Sequence, residues 1–184
     1  MKNTFIIFIS LNFFMISCNS TDLQKEFSCK NRINYNLSNV EDVRNFFSIN
    51  LPEIWKINLY YDNGLSSIYA ADTTVDLTKT ILLDVSYIHS TMSFDNNFKK
   101  KLINDYENMN LNEIKKKNIK HLDRDAYFSL AHGKKGKFNY HVLNIFTIVN
   151  TNNTLHTKTE IYGDSLVTER LCKSINLIES IKFK

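Results

Sequence analysis

Residues 125–162 read DAYFSLAHGKKGKFNYHVLNIFTIVNTNNTLHTKTEIY, and this stretch decides the fold of the chain. It contains three strand-like segments, Asp125–His132, Phe138–Val149 and Thr154–Tyr162. The connections between them, GKKG and NTNN, consist of residues that favour turns. Three strands joined by short turns predict an antiparallel meander. The middle segment carries large apolar side chains at odd and at even positions, which predicts a strand at the centre of a sheet that is covered on both faces.

The segments before this meander continue the strand pattern toward the N-terminus. Phe47–Leu51 alternates between apolar and polar residues and ends at Pro52, as a half-buried strand does. Trp55–Tyr61 alternates in the same way, stops at the turn sequence Asp-Asn-Gly, and returns as Leu65–Ala71. A longer strand is predicted over Ile81–His89.

Two segments have helical periodicity instead. The first is predicted to begin at Ser93 as its N-cap, and the second at Asp164 and Ser165. Their apolar positions recur at helical spacing: Phe94, Phe98, Leu102, Tyr106 and Met109 in the first, and Val167, Leu171, Ile175 and Ile178 in the second. A short strand at Ser180–Phe183 closes the chain. We therefore predict one α+β domain over residues 43–184, with an antiparallel sheet of about 6–7 strands covered by helices.

The order of these elements resembles the PsbP-like superfamily. The resemblance rests on FFSINLPEIWKI at residues 46–57, a mid-chain helix, three long strands, and a closing helix followed by ESIKF at residues 179–183. This superfamily includes photosystem II extrinsic subunits, a Ran-binding nuclear import factor and many small bacterial lipoproteins. The resemblance implies an α/β/α sandwich that acts by binding another protein. It supplies no catalytic residues, because the superfamily has no shared active site.

The N-terminus has the layout of an export signal. Lys2 is followed by an apolar run of about 12 residues, which is too short to span a bilayer. The sequence Met15-Ile16-Ser17-Cys18 then resembles a bacterial lipobox, in which the cysteine thiol receives a lipid. We expect residues 1–17 to be a removable signal peptide, Cys18 to carry the lipid, and residues 18–42 to be a polar tether. The alternative is that the apolar run forms a buried helix of the folded protein.

The lipobox interpretation predicts the cellular compartment of the protein and the state of its other two cysteines. Asn19 follows the lipidation site, which favours the outer membrane facing the periplasm over retention in the inner membrane. Cys29 and Cys172 are then an even pair in an oxidising compartment, and they are candidates for a disulfide. The alternative is two unrelated cysteines, one on the tether and one packed as a small apolar side chain.

Two lysine clusters stand out in a chain of formal net charge +4. They are residues 99–101 and residues 115–117 with Lys120. One interpretation is attraction to anionic lipid head groups or to nucleic acid. The other is the solvated face of one helical region, and the interspersed acidic residues favour it. An exported protein rarely meets nucleic acid, so we expect no nucleic-acid partner.

The sequence contains no preassembled chemical site. The candidate metal ligands are His89, His121, His132, His141 and His156, with Asp123 and Asp125 nearby. No His-x-x-x-His or Cys-x-x-Cys spacing occurs among them. The closest grouping is His132 and His141, which flank one turn of the meander, and we interpret them as ordinary strand-surface histidines. We expect no metal, no other cofactor and, without a Gly-x-Ser-x-Gly elbow, no enzymatic activity.

Three functions remain open at this point. The first is a membrane-anchored cell-envelope module that binds or assembles with a protein partner. The second is a binder of a small apolar or glycan ligand in a pocket under a helix. The third is a hydrolase whose site cannot be identified in the sequence. A pocket lined by convergent polar groups would favour the second or third, and an apolar surface patch would favour the first.

The lipobox interpretation predicts the intact mass of the membrane-extracted protein. We expect a mass that matches residues 18–184 plus acyl chains, and an increase of about two protons on reduction if the two remaining cysteines are paired. Mass spectrometry under non-reducing and reducing conditions measures both. An unlipidated mass that retains residues 1–17 would contradict the anchor.

Overall fold

The computed structural model describes residues 20–30 and 36–184. The predicted signal peptide and Cys18 lie outside the described residues. The elements are α1 (Asp22–Glu26), β1 (Leu37–Glu41), β2 (Phe47–Pro52), β3 (Lys56–Tyr61), β4 (Leu65–Ala71), β5 (Leu82–Ile88), α2 (Asn96–Asn108), β6 (Leu111–His121), β7 (Arg124–Lys135), β8 (Phe138–Asn150), β9 (Asn153–Tyr162), α3 (Val167–Ile178) and β10 (Lys182–Phe183). None of these helices is long and apolar enough to cross a membrane.

The strands form two sheets. The large sheet has seven strands in the order β3-β4-β5-β9-β8-β7-β6, and every neighbouring pair in it is antiparallel. The small sheet has the order β1-β2-β10. The α+β class and the antiparallel sheet predicted from the sequence are confirmed.

The predicted meander β7-β8-β9 forms, but its turns are shorter than predicted, because residues 133–135 belong to β7 and only residues 136–137 and 151–152 connect the strands. Gly136, in the β7–β8 turn, has a φ of 61°, a left-handed conformation that glycine adopts without steric cost. Strand β8 lies inside the sheet, between β9 and β7. Its residues Leu143 and Ile145 belong to the core on one face, and Val142 and Phe146 belong to the core on the other. The predicted two-sided burial of this strand is confirmed.

Each face of the large sheet has its own core. On the first face, α3 and the small sheet contribute buried residues that include Phe47, Ile49, Leu171 and Ile175. On the second face, α2 buries Leu102 and Tyr106 against a smaller set of strand residues, Tyr127, Ala131, Tyr140, Val142 and Phe146. The sheet is therefore sandwiched between α3 with the small sheet and α2.

Strand β6 was not predicted from the sequence. It carries Lys115, Lys116, Lys117 and Lys120, which we had assigned to the solvated face of a helical region, and that assignment is wrong. The lysines obscure the strand because lysine and asparagine are depleted in strands. A bulge between Glu113 and Lys115 also shifts the register, so the alternation of buried residues is interrupted.

Both predicted helix caps are also wrong. Helix α2 is capped by Asp95, whose carboxylate accepts hydrogen bonds from the N–H groups of Asn97 and Phe98 at 2.9 Å each. The N-cap position of α3 is Leu166, with a left-handed φ of 52° and no side-chain cap. Asp164 instead accepts a hydrogen bond from Asn139, which lies on β8.

Part of the predicted tether is folded. Thr21 caps α1 in a reciprocal arrangement with Gln24, and Leu23 has no solvent exposure. The side chain of Gln24 donates to Asn176 of α3 at 3.0 Å. Strand β1 pairs along its length with β2. A polar tether over residues 18–42 is therefore the wrong description of α1 and β1, which belong to the domain.

Cys29 and Cys172 are neighbours in the structure. Their Cα atoms are 5.2 Å apart, within the range that a disulfide spans, although the residues are 143 positions apart in sequence. A bond here joins the segment after α1 to the middle of α3. Its presence in the protein stays a prediction.

We expect Leu23→Ala to lower the free energy of unfolding by about 2–5 kcal/mol, because it opens a cavity in the main core. Lys25→Ala, on the exposed side of the same helix, is the matched control and should change it by less than about 0.5 kcal/mol. Urea unfolding measures both. Equal, small effects would mean that α1 does not contribute to the core.

We expect the double variant Cys29→Ser/Cys172→Ser to unfold at a lower temperature than the oxidised protein. The free energy of unfolding should fall by about 2–5 kcal/mol, because the unfolded chain of the variant is no longer closed into a loop by a disulfide. Reductant should lower the Tm of the natural protein and leave that of the variant unchanged. A natural protein insensitive to reductant would show that the two cysteines are not bonded.

Candidate functional site

The five histidines named as candidate ligands are distributed over four places. His89 is exposed beyond the end of β5, with its Nδ1 2.9 Å from the side-chain oxygen of Asn153. His121 and His156 lie apart from each other and belong to packed regions. Only His132 and His141 come together. Asp123 and Asp125, which flank the β6–β7 turn, are exposed and do not join any histidine cluster among the described residues.

His121 is a core histidine. It is 1% exposed, and its Nδ1 lies 2.7 Å from the hydroxyl of Thr147. Its Nε2 has no hydrogen-bond partner among the described residues. Burial lowers the pKa of this ring to about 4, because the charged form loses its hydration. The ring is neutral at physiological pH.

A chain of buried polar groups lies between α2 and the sheet. The Tyr106 hydroxyl accepts from Asn144 at 2.8 Å and donates to Ser129 at 3.0 Å. The Ser129 hydroxyl donates to Glu113 at 2.6 Å. Ser129 has no solvent exposure, so a substrate cannot reach it, and burial raises the pKa of Tyr106, which keeps that hydroxyl protonated. The arrangement joins α2 to the sheet and does not have the features of a nucleophilic site.

His132 and His141 face each other across the β7–β8 ladder. They are directly opposite in register, with ring centroids 4.4 Å apart. A carboxylate oxygen of Asp164 joins them, and the three ligand atoms all lie within 4.8 Å of one another. Burial lowers the pKa of His141, and the neighbouring His132 lowers it further. The sequence identifies the two histidines as the closest grouping of candidate ligands, but it predicts Asp164 to be part of a helix cap.

The turn that carries Asp164 is fixed from two sides. Gly163, with a φ of 74°, donates its N–H to the carbonyl of Asn139 at 2.7 Å. The buried guanidinium of Arg170 donates to the carbonyls of Tyr162 and Gly163 at 3.1 and 3.3 Å. The position of Asp164 therefore depends on strand β8 and on helix α3 together.

The edge of the sheet at β3 carries a group of exposed apolar side chains. β3 is the terminal strand of the large sheet, and three of its last residues are large and exposed: Leu59 at 43%, Tyr60 at 55% and Tyr61 at 62%. Ile54, just before this strand, is also exposed, as are Val75 and Leu77 in the connection that follows β4. We call Leu59, Tyr60 and Tyr61 the β3 edge.

The opposite edge, at β6, is protected. Its lysines are partly neutralised by α1, since Glu26 forms ion pairs with Lys115 and Lys117. The backbone N–H of Lys120 donates to the carboxylate of Asp22 at 3.0 Å. Lysines, a bulge and a covering element are the means by which proteins prevent strand addition at an edge.

A cleft of about 800 Å³ lies along the outer side of α3. It is lined by Ser28, Lys30, Asp164, Leu166, Val167, Thr168, Glu169, Cys172, Lys173 and Asn176. The second function left open by the sequence, a small-ligand binder, requires a pocket between a helix and the sheet. This cleft does not lie there. The sheet-facing residues Leu171 and Ile175 of α3 are 4% and 0% exposed, so that space is filled by side chains.

No protein-family model matches the chain, and no curated protein matches it. Among solved structures, the fold is similar to that of cyanobacterial PsbP (CyanoP) from Synechocystis sp. PCC 6803, with a TM-score of 0.60 and 13% identity over 85% of this chain and 97% of that one. It is also similar to the Ran-binding protein Mog1p of Saccharomyces cerevisiae, with a TM-score of 0.53 and 6% identity over 81% of this chain and 96% of that one. The PsbP-like fold is therefore confirmed, and these identities establish the fold alone.

We expect the free energy of unfolding to fall as the pH drops from about 6.5 to about 4, because the unfolded chain protonates His121 in this range and the folded chain does not. The contribution of this residue is at most about 3 kcal/mol. Urea unfolding between pH 7.5 and 4.5 measures it. The pH dependence should shrink in His121→Leu and persist in the control His89→Gln. An unchanged dependence in His121→Leu would contradict this assignment.

Proposed function

We propose that this chain is a lipid-anchored protein of the cell envelope that binds a partner protein along the β3 edge. The anchor rests on the lipobox-like sequence that ends at Cys18, and the observation that carries the binding function is the exposed apolar edge of β3. The PsbP-like fold supports a module without catalytic activity, as the Ran-binding Mog1p has this fold too.

The contrast between the two sheet edges supports this surface over others. An edge strand presents unpaired backbone N–H and C=O groups, which readily pair with another chain. β6 carries four lysines beside its one exposed large apolar residue, Ile114, and is contacted by α1, whereas β3 has one lysine at its start and three exposed apolar side chains at its end. An exposed apolar edge of this kind is suited to pairing with an extended segment of another chain.

The chemistry of the β3 edge indicates the kind of partner. Main-chain groups of an edge strand recognise an extended polypeptide, and alternating side chains add specificity. Tyrosines are enriched in protein interfaces, because they bury a large apolar area and keep a hydroxyl for hydrogen bonding. The partner we propose is therefore a protein that offers an extended apolar segment to β3.

Photo-crosslinking in the native cells tests this function. With p-benzoylphenylalanine in place of Tyr61, we expect an adduct with one envelope protein, and Leu59→Lys should reduce its yield several-fold. The matched control places the same crosslinker at Lys100, on the exposed side of α2. Leu59→Lys should leave the Tm nearly unchanged because residue 59 is already 43% exposed.

Two outcomes would contradict the proposal. The first is an equal adduct pattern from positions 61 and 100, or none from position 61. The second is an adduct of twice the mass of the chain, which would assign the β3 edge to a second copy of this protein.

A further inference from the structure

The His132 and His141 pair has the geometry of two ligands to one ion. Opposite residues of an antiparallel pair project from the same face with Cβ atoms about 4.5–5.5 Å apart. His132 and His141 form the pair that lies two residues beyond the opposed core residues Leu130 and Leu143. Both histidines are half-buried. Two imidazoles held this close at a partly dry site can share a single metal ion.

Asp164 completes a set of three ligands and is itself oriented. One of its carboxylate oxygens accepts a hydrogen bond from the side chain of Asn139. Asn139 lies two residues before His141 on β8, so both project to the same face. A hydrogen bond of this kind is how proteins orient a metal-binding carboxylate.

The third observation is an unsatisfied ring nitrogen. Nδ1 of His141 is buried and has no hydrogen-bond partner among the described residues. A buried polar atom without a partner lowers stability, and most such atoms in proteins have a partner or serve a function. This imidazole therefore has a ring nitrogen that no described residue of the protein uses.

We propose that His132, His141 and Asp164 bind one zinc ion. Two imidazoles and one carboxylate suit zinc, with a water molecule as the fourth ligand, whereas magnesium and calcium prefer oxygen ligands throughout. Ligand atoms around one tetrahedral zinc ion stand about 3.4 Å apart, given bond lengths of about 2.1 Å. The present separations are up to 4.8 Å, so zinc binding would draw the three side chains closer together.

The charges around the site affect its affinity for a cation. Arg170 lies close enough to oppose a cation, but its guanidinium is held by the carbonyl oxygens of Thr80, Tyr162 and Gly163. Asp164 supplies the negative charge that offsets it. The carboxylate is therefore required for affinity as well as for geometry, and the bound ion would join β7 and β8 to the turn before α3.

Equilibrium dialysis against zinc sulfate tests this site. The full chain is purified in detergent, stripped with chelator, and kept oxidised so that Cys29 and Cys172 offer no thiolates. We expect one zinc ion per chain, binding weakened at least about tenfold by His132→Gln, His141→Gln or Asp164→Asn, and binding unchanged in the control His89→Gln. Cobalt in place of zinc should give the visible absorption bands of a tetrahedral site, and these should be lost in His132→Gln.

A second measurement does not depend on any variant folding. In NMR spectra of the natural protein, zinc should shift the ring resonances of His132 and His141 and leave those of His89 and His121 in place. Stoichiometric zinc binding that the three variants do not change would overturn the proposal. So would the absence of zinc binding, or ring shifts confined to the other histidines.

Discussion

The burial of β8 on both faces is the constraint on which the rest of the structure depends. A strand that is apolar on one face needs one covering layer, but Leu143 and Ile145 face one way while Val142 and Phe146 face the other. Both faces of the sheet therefore need cover. Helix α3 and the small sheet supply it on one face, and α2 supplies it on the other. The hydrogen-bonded chain from Asn144 through Tyr106 to Ser129 joins α2 to its face of the sheet.

The sequence predicted the elements whose side chains alternate clearly and failed where a tertiary contact decides the structure. The meander and both longer helices follow from period and turn residues alone. Helix α1 is five residues long, which is too short to be stable alone, and it forms because Leu23 enters the main core and Gln24 reaches α3. β6 was not predicted because its lysines are compatible with an exposed helix as well as with an exposed strand. The sequence indicates that His132 and His141 lie on neighbouring strands, but their direct opposition follows from the extension of β7 to Lys135, which was not predicted.

The position of Asp164 could not be foreseen in the same way. In the sequence it precedes a helix, where aspartate is the ordinary N-cap, and this local preference is the signal that sequence analysis detects. In the structure, Arg170 holds the carbonyls of the preceding turn and Asn139 takes the carboxylate, so Asp164 turns away from the helix. Contacts with residues that are distant in sequence therefore place Asp164 beside two histidines and not in the predicted helix cap.

The described N-terminal segment and the proposed binding edge lie at opposite edges of the large sheet. Helix α1 contacts β6, and Thr21 at its start donates to Glu179 at 2.6 Å, so the described chain begins beside this edge. If Cys18 carries the lipid, the three residues to Thr21 can span at most about 10 Å, which keeps the β6 edge close to the membrane. Seven strands separate the two edges by about 29 Å, at about 4.8 Å between neighbours. The lysine-rich edge would then lie near the lipid head groups, and the apolar β3 edge would be displaced from the anchor, where a partner protein can reach it.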